Sequence, residues 1–152
     1  MDRRSAATAA QFWLGFCLTA ATVTNAAERS EPVMTPVYEV SPIGWVRKRD
    51  GRTMIEVDEQ YRPALLGLDE LDAIWVLYWF DRNDIATQRA ILQVHPRGNR
   101  DNPLRGVFAT RAPVRPNLIA MSRCRVLSID DNVIVIDDID AFPDTPVLDI
   151  KP

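Results

Sequence analysis

Beyond its first 36 residues the chain is a series of short apolar runs, each closed by a turn signal. Residues 37–46, 53–57, 74–80, 90–95, 107–110, 123–129, 133–139 and 147–150 are rich in β-branched and aromatic side chains, a composition that predicts strands. Asp50-Gly51 between the first two runs predicts a tight hairpin, because both residues accept positive φ. Asp130-Asp131-Asn132 plays the same part before Val133. The run Ile74-Trp75-Val76-Leu77-Tyr78-Trp79-Phe80 is apolar throughout instead of alternating, which predicts a strand covered on both faces, with a second subunit as one cover. One short helix is expected over 59–71, with Pro63 near its first turn and Gly67 weakening its middle. Many strands and little helix predict an all-β fold, a small antiparallel β-barrel with a short helix.

The front of the chain follows another pattern. Asp2, Arg3 and Arg4 precede a small and apolar run over 6–23, with no further charge before Glu28. A basic start, an apolar stretch and small residues such as Thr24 and Ala26 form the layout of a cleaved signal peptide. Ala, Thr and Gln11 dilute the run below what a membrane anchor needs, so no span is expected in the mature chain. Phe16 before Cys17 is wrong for a lipoprotein. The expected organisation is therefore a signal-like segment over 1–27, a polar, proline-bearing linker over 28–38 and one domain over 39–152. A cleaved leader implies a periplasmic or secreted protein; without one the chain stays in the cytoplasm.

Composition narrows the chemistry. At 152 residues, 47% hydrophobic and 26% charged, the chain has the size and balance of one globular domain. His95 is the only histidine, and Cys124 is the only cysteine outside the leader. Zinc sites and Ser-His-Asp triads need more ligands than that, so no metal site is expected. Cys124, in an alternating stretch, reads as a small buried hydrophobe.

The net charge of −3 conceals segregation. Arg97, Arg100, Arg105, Arg111, Arg115, Arg123 and Arg125 are opposed only by Asp101, whereas Asp130, Asp131, Asp137, Asp138, Asp140, Asp144 and Asp149 face only Lys151. Two readings stand: basic and acidic strands neutralise each other, or the arginines line an anion-binding groove. Within the basic stretch, residues 106–122 read strand, stiff loop, strand. Pro113 and Pro116 fix φ and hold their predecessors extended, so the loop presents Arg111, Arg115 and Asn117 with little entropy left to lose. These are candidate substrate- or anion-binding residues. The plain alternative is a rigid surface turn whose arginines point into water.

The same residues carry a family resemblance. The stretch Gly106-Val107-Phe108-Ala109-Thr110-Arg111, followed by Pro113, Arg115-Pro116-Asn117, Ile119 and Ser122, matches the G-V-F-A-T-R-S-P-x-R-P-N-P-I-G-L-S pattern of the TsaA-like family. Its characterised members are TrmO-type methyltransferases. Thr145-Pro146-Val147-Leu148-Asp149-Ile150-Lys151-Pro152 resembles the end of its D-G-T-P-V-L-D-I-K-P block, and residues 74–80 and 41–47 are similar to its aromatic and opening strands. The resemblance implies a barrel, dimeric, that binds S-adenosylmethionine and methylates N6 of threonylcarbamoyl-modified adenosine in tRNA. By motif position it implies Phe80, Asp81, Arg111, Met121, Pro143, Asp144, Thr145 and Pro146 as cofactor contacts.

This chain departs from the pattern at several of those places. Asp81 stands where the family has histidine, Leu118 and Ala120 replace proline and glycine, and Pro143-Asp144 replaces Asp-Gly. The last change is expected to give up the backbone freedom of glycine. The alternative function is an exported, catalytically diverged module that keeps the barrel and its anion-recognising arginines. A general nucleic-acid binder is disfavoured by the acidic terminal strands and net charge.

Overall fold

The computed structural model describes residues 36–152; the signal-like segment and most of the linker lie outside the described residues. Tyr38–Pro152 forms one compact unit. Its strands are β1 (Gly44–Arg49), β2 (Arg52–Val57), β3 (Ala73–Trp79), β4 (Gln93–Val94), β5 (Arg105–Gly106), β6 (Ile119–Asp130), β7 (Val133–Ile136) and β8 (Pro146–Lys151). Six close an antiparallel barrel in the order β1-β2-β7-β6-β3-β8, with β8 pairing back onto β1. The pair β4-β5 is a separate two-stranded ribbon.

The period-2 pattern explains the core. Val46, Ile55, Val57, Ile74, Val76, Tyr78, Ala120, Cys124, Ile134, Ile136 and Val147 all point inward and are buried. In a barrel of so few strands, side chains fill the interior and leave no lumen. Burying each Val or Ile contributes about 1.5–3 kcal/mol. Cys124 is fully buried, and desolvation pushes its thiol up to about 11. Two irregularities shape the wall: an extra residue on β6 between Val126 and Ser128, and a shift between Leu77 and Tyr78 where β3 meets β8.

The hairpin at Asp50 (φ 51°) and Gly51 (φ 71°) has the left-handed pair its sequence predicts. The β6-β7 turn is also where the acids predict it. There Asn132 is pinned to the end of β2: its side-chain amide donates to the Val57 carbonyl (2.6 Å) and its own carbonyl accepts the Val57 N–H (2.9 Å).

Other expectations are corrected. The strand expected over 37–46 begins only at Gly44, after Pro42, which has no N–H for a ladder. The helix expected over 59–71 is two 3₁₀ stretches, Glu59–Leu65 and Leu68–Glu70, divided by Gly67 at φ 80°. The one α-helical turn among the described residues, α1 (Ala86–Arg89), follows no periodic signal. Residues 107–110 are not a strand: Val107–Ala109 is a 3₁₀ turn in which the Thr110 N–H and hydroxyl both donate to the Val107 carbonyl, each at 3.1 Å. Only Gln93–Val94 of the run 90–95 pairs. β7 stops at Ile136, because the Asp137 carboxylate accepts the Arg125 N–H (2.8 Å) and leads the chain out of the sheet. Finally, the chain itself covers β3 fully on one face only. Ile74, Val76 and Tyr78 are buried, whereas Trp75, Leu77 and Trp79 are half-buried on the outer wall. Among the described residues no helix is long and apolar enough to cross a membrane.

Gly44 sits at the seam, opposite Val57 on one side and Val147 on the other. A Cβ there would collide with the Glu56 carbonyl oxygen and lie 2.8 Å from the Val57 Cα. Gly44→Ala should therefore cost about 1–3 kcal/mol, the range of overpacking, read as a lower urea midpoint. Cys124 supplies a pH prediction. Its folded thiol ionises above its unfolded value, so stability is full below the ordinary thiol range and falls as pH rises towards 11, by on the order of 2 kcal/mol. Cys124→Ala should flatten that alkaline limb of a urea-midpoint profile.

Candidate functional site

The loop between β5 and β6 is held at both ends by apolar anchors. Val107 (1% exposed) and Leu118 (0%) are sunk into the protein, and the Phe80 N–H donates to the Leu118 carbonyl (2.8 Å). The Arg89 guanidinium, at the end of α1, donates to the Pro116 carbonyl (2.9 Å). Between the anchors the chain is free to display polar groups. Leu118, a departure from the family pattern, thus acts as a core residue.

Two adjoining hollows open where this loop meets the end of β3. The first, about 250 Å³, lies between Phe80, Arg111, Arg115, Ile119 and Met121. The second, about 180 Å³, lies between Phe80, Asp81, Arg111, Phe142 and Thr145. Tyr78, Phe80, Arg111 and Asp140 line both. The mouth of the second hollow carries a cation-π pair, the Arg82 guanidinium 3.9 Å from the Phe142 ring centroid.

Tyr78 fixes the junction from beneath. Its hydroxyl donates to the Asp140 main-chain carbonyl (2.8 Å) and lies 3.2 Å from the Ser122 hydroxyl. Burial, with a smaller push from Asp140, raises the phenol above its ordinary value, so it stays a donor at neutral pH. The hydrogen bond ties β3 to the 137–145 segment and holds Asp140 where it lines both hollows with Arg111. Ser122 had a signal, its place in the loop motif. Asp140 had none, being one acid in a run of acids.

Of the residues expected from sequence, the structure brings together Phe80, Asp81, Arg111, Arg115, Met121 and Thr145. Asn117, Pro143, Asp144 and Pro146 do not line these hollows. The Asp144 carboxylate instead pairs with the Arg47 guanidinium on β1, which also bonds Glu56 at 2.6 Å. The expected loss of glycine's backbone freedom is corrected. Asp144 adopts φ 65°, the left-handed conformation itself, which Asp tolerates better than most residues. Its N–H donates to the Val46 carbonyl (2.8 Å) in that conformation, so the turn survives the substitution.

The charge segregation also resolves. Acids of the carboxyl-terminal region pair mostly with cations outside the arginine stretch: Asp131 with Arg62, Asp138 with Lys48, Asp144 with Arg47 and Asp149 with Lys151. Among the described residues only Arg125 of the seven arginines over 97–125 forms an ion pair, with Asp137 at 3.4 Å. Mutual neutralisation accounts for little of the pattern. No group of three or more His, Cys, Asp or Glu that could hold a metal occurs among the described residues.

Comparison with known proteins adds the family. The model of the tRNA-methyltransferase O N-terminal domain matches residues 37–152. A "probable S-adenosyl-L-methionine-binding protein" of Methanocaldococcus jannaschii is 46% identical over 115 residues, covering 76% of this chain and 91% of its own length. The mouse tRNA (adenine(37)-N6)-methyltransferase is 36% identical over 89 residues, covering 59% of this chain and 20% of its own. Among solved structures, TrmO of Pseudomonas aeruginosa superposes with a TM-score of 0.60 at 29% identity, over 79% of this chain. The match spans only 56% of that TrmO chain.

Tyr78→Phe should lower stability by about 1–2 kcal/mol, because the Asp140 carbonyl loses a buried donor. A urea unfolding curve measures the loss. Ultraviolet titration of the same variant should lack the phenol that in the parent ionises above the ordinary tyrosine range.

Proposed function

Because the chain belongs to the tRNA-methyltransferase O N-terminal domain family, we propose that it is an S-adenosylmethionine-dependent methyltransferase acting on N6 of the threonylcarbamoyl-modified adenosine at position 37 of tRNA. The observation that carries this reading is the position of Arg111. It is the one cation common to both hollows and stands at the hinge of the loop motif. The residues present fit the cofactor. Together the hollows reach the size of ordinary small-molecule sites, roughly 300–1,000 Å³, and their walls combine aromatic and apolar side chains with polar groups such as Arg111, Asp140, Ser122 and Thr145.

Arg111 would hold the cofactor's carboxylate through a planar, charge-assisted contact. Phe80, Ile119 and Met121 would offer an apolar surface to adenine, and the Asp140 carboxylate would offset the positive charge of the sulfonium. When bound, the sulfonium supplies an activated methyl group. The protein's own part is to orient and desolvate, which accounts for much of the barrier in a displacement between two bound partners. Tyr78 keeps the Asp140 segment in place and remains protonated while doing so. His95 lines neither hollow, and its Nδ1–H donates to the Asn102 carbonyl (2.7 Å), so the reading assigns it no proton transfer.

Titration calorimetry of the full chain with S-adenosylmethionine tests the first half. Saturable heat is expected, and Arg111→Ala should weaken binding at least tenfold, about 1.4 kcal/mol or more. No heat at millimolar ligand would sink the proposal. Transfer of labelled methyl to tRNA lacking N6 methylation at adenosine 37 tests the second half, with the label expected only when position 37 carries the threonylcarbamoyl group.

A further inference from the structure

A third and larger space stands beside the hollows. It is an open cleft of about 1220 Å³, lined on one side by the β4-β5 ribbon and the turn that follows β4, and on the other by residues 109–114. Arg97, Arg100, Arg105 and Arg111 all line it, and Asp140 is the only acid that does. Among the described residues none of these four guanidinium groups forms an ion pair. Several like charges on one wall repel one another, and an anion laid along them relieves that repulsion.

The turn carrying the first two arginines is stiff. His95 Nδ1–H donates to the Asn102 carbonyl (2.7 Å), the Asn102 side-chain amide donates to the Pro96 carbonyl (2.9 Å), and the Asp101 N–H donates to the Asn99 side chain (2.9 Å). Arg97 itself is held at φ 59°, where a residue bearing Cβ costs roughly 1–2 kcal/mol. That cost is sustained by the bonds around it, and it fixes the point from which the side chain leaves. Arg105 leaves from β5. The three side chains belong to exposed residues spread along the cleft.

We propose that this cleft seats the phosphate backbone of a single-stranded RNA loop. Arg97, Arg100 and Arg105 contact successive phosphates, and the target base passes to the hollow at Arg111, which the two spaces share. Exposed arginines spread along an open cleft suit a polyanion, because each successive phosphate adds a further charge contact. Guanidinium groups match phosphate oxygens bidentately, and the stiff turn reduces the ordering that binding would otherwise cost. The inference rests on the proposed methyltransferase reading for the direction in which the RNA runs, and on the arginines alone for binding.

Fluorescence anisotropy of the full chain with a labelled 17-nucleotide anticodon hairpin, between 50 and 200 mM salt, tests it. The triple substitution Arg97→Ala, Arg100→Ala, Arg105→Ala should weaken binding at least tenfold at low salt and reduce the slope of log K against log salt by about 2, the share of three phosphates in single-stranded RNA. The corresponding triple lysine variant should keep most of the affinity, since charge is retained. Arg49→Ala with Arg52→Ala, on the β1-β2 hairpin, should change binding less than threefold. Hairpin binding absent in the parent, a triple alanine variant within threefold of it, an equal loss from the hairpin pair, or equal displacement by duplex DNA would each overturn the proposal. Calorimetry with S-adenosylmethionine separates the two readings. Heat retained with RNA binding indifferent to the triple substitution removes the cleft alone. RNA binding that depends on the cleft, with no heat from the parent, supports the cleft and removes the methyltransferase.

Discussion

Closure of the barrel at β1 and β8 is the constraint on which the rest of the structure depends. The seam is short, with Gly44 and Trp45 opposite Val147 and Pro146, and it is extended by bonds from the Ile43 N–H to the Val147 carbonyl and from the Val46 N–H to the Thr145 carbonyl. Because β8 must lie between β1 and β3, the segment before it is drawn across the end of β3. That path brings Asp140, Phe142 and Thr145 up to Phe80 and Arg111. The site is thus a by-product of closing the sheet: elements far apart in sequence meet at one rim, where barrels of this kind commonly hold their functional groups.

Much of the frame could be read from the sequence. The runs that form β2, β3, β7 and β8 are marked by their β-branched and aromatic residues, and the Asp50-Gly51 turn by its own chemistry. What escaped was set by partners, not by local preference. Residues 107–110 have the composition of a strand, but Val107 turns inward as an anchor and the Thr110 hydroxyl closes a turn on it. Residues 37–43 look like strand until Pro42 breaks the ladder. The four-residue α1 is too short for any periodicity to register, and what it contributes is the bond from Arg89 to Pro116.

The site divides in the same way. Arg111, Arg115 and Met121 were legible because one local loop motif carries them, and Phe80 because it ends the aromatic run 74–80. Asp140 and Tyr78 were not, since their importance arises from a hydrogen bond between residues 62 apart in sequence. Asp144 illustrates the opposite error, in which a motif position is read too literally. The side chain there answers to Arg47 and the backbone adopts the left-handed conformation that glycine favours, so the change in sequence does not cost this position its positive φ.

The two apolar anchors of the β5-β6 loop have a further consequence. Val107 and Leu118 secure the loop to the barrel, and most residues between them contribute little to the buried core. The buried frame and the exposed surface are therefore separately encoded along this stretch. The intervening residues can be exchanged in evolution, or by design, at small cost to stability, so a descendant could acquire a new ligand here without the compensating mutations that a change inside a packed core demands.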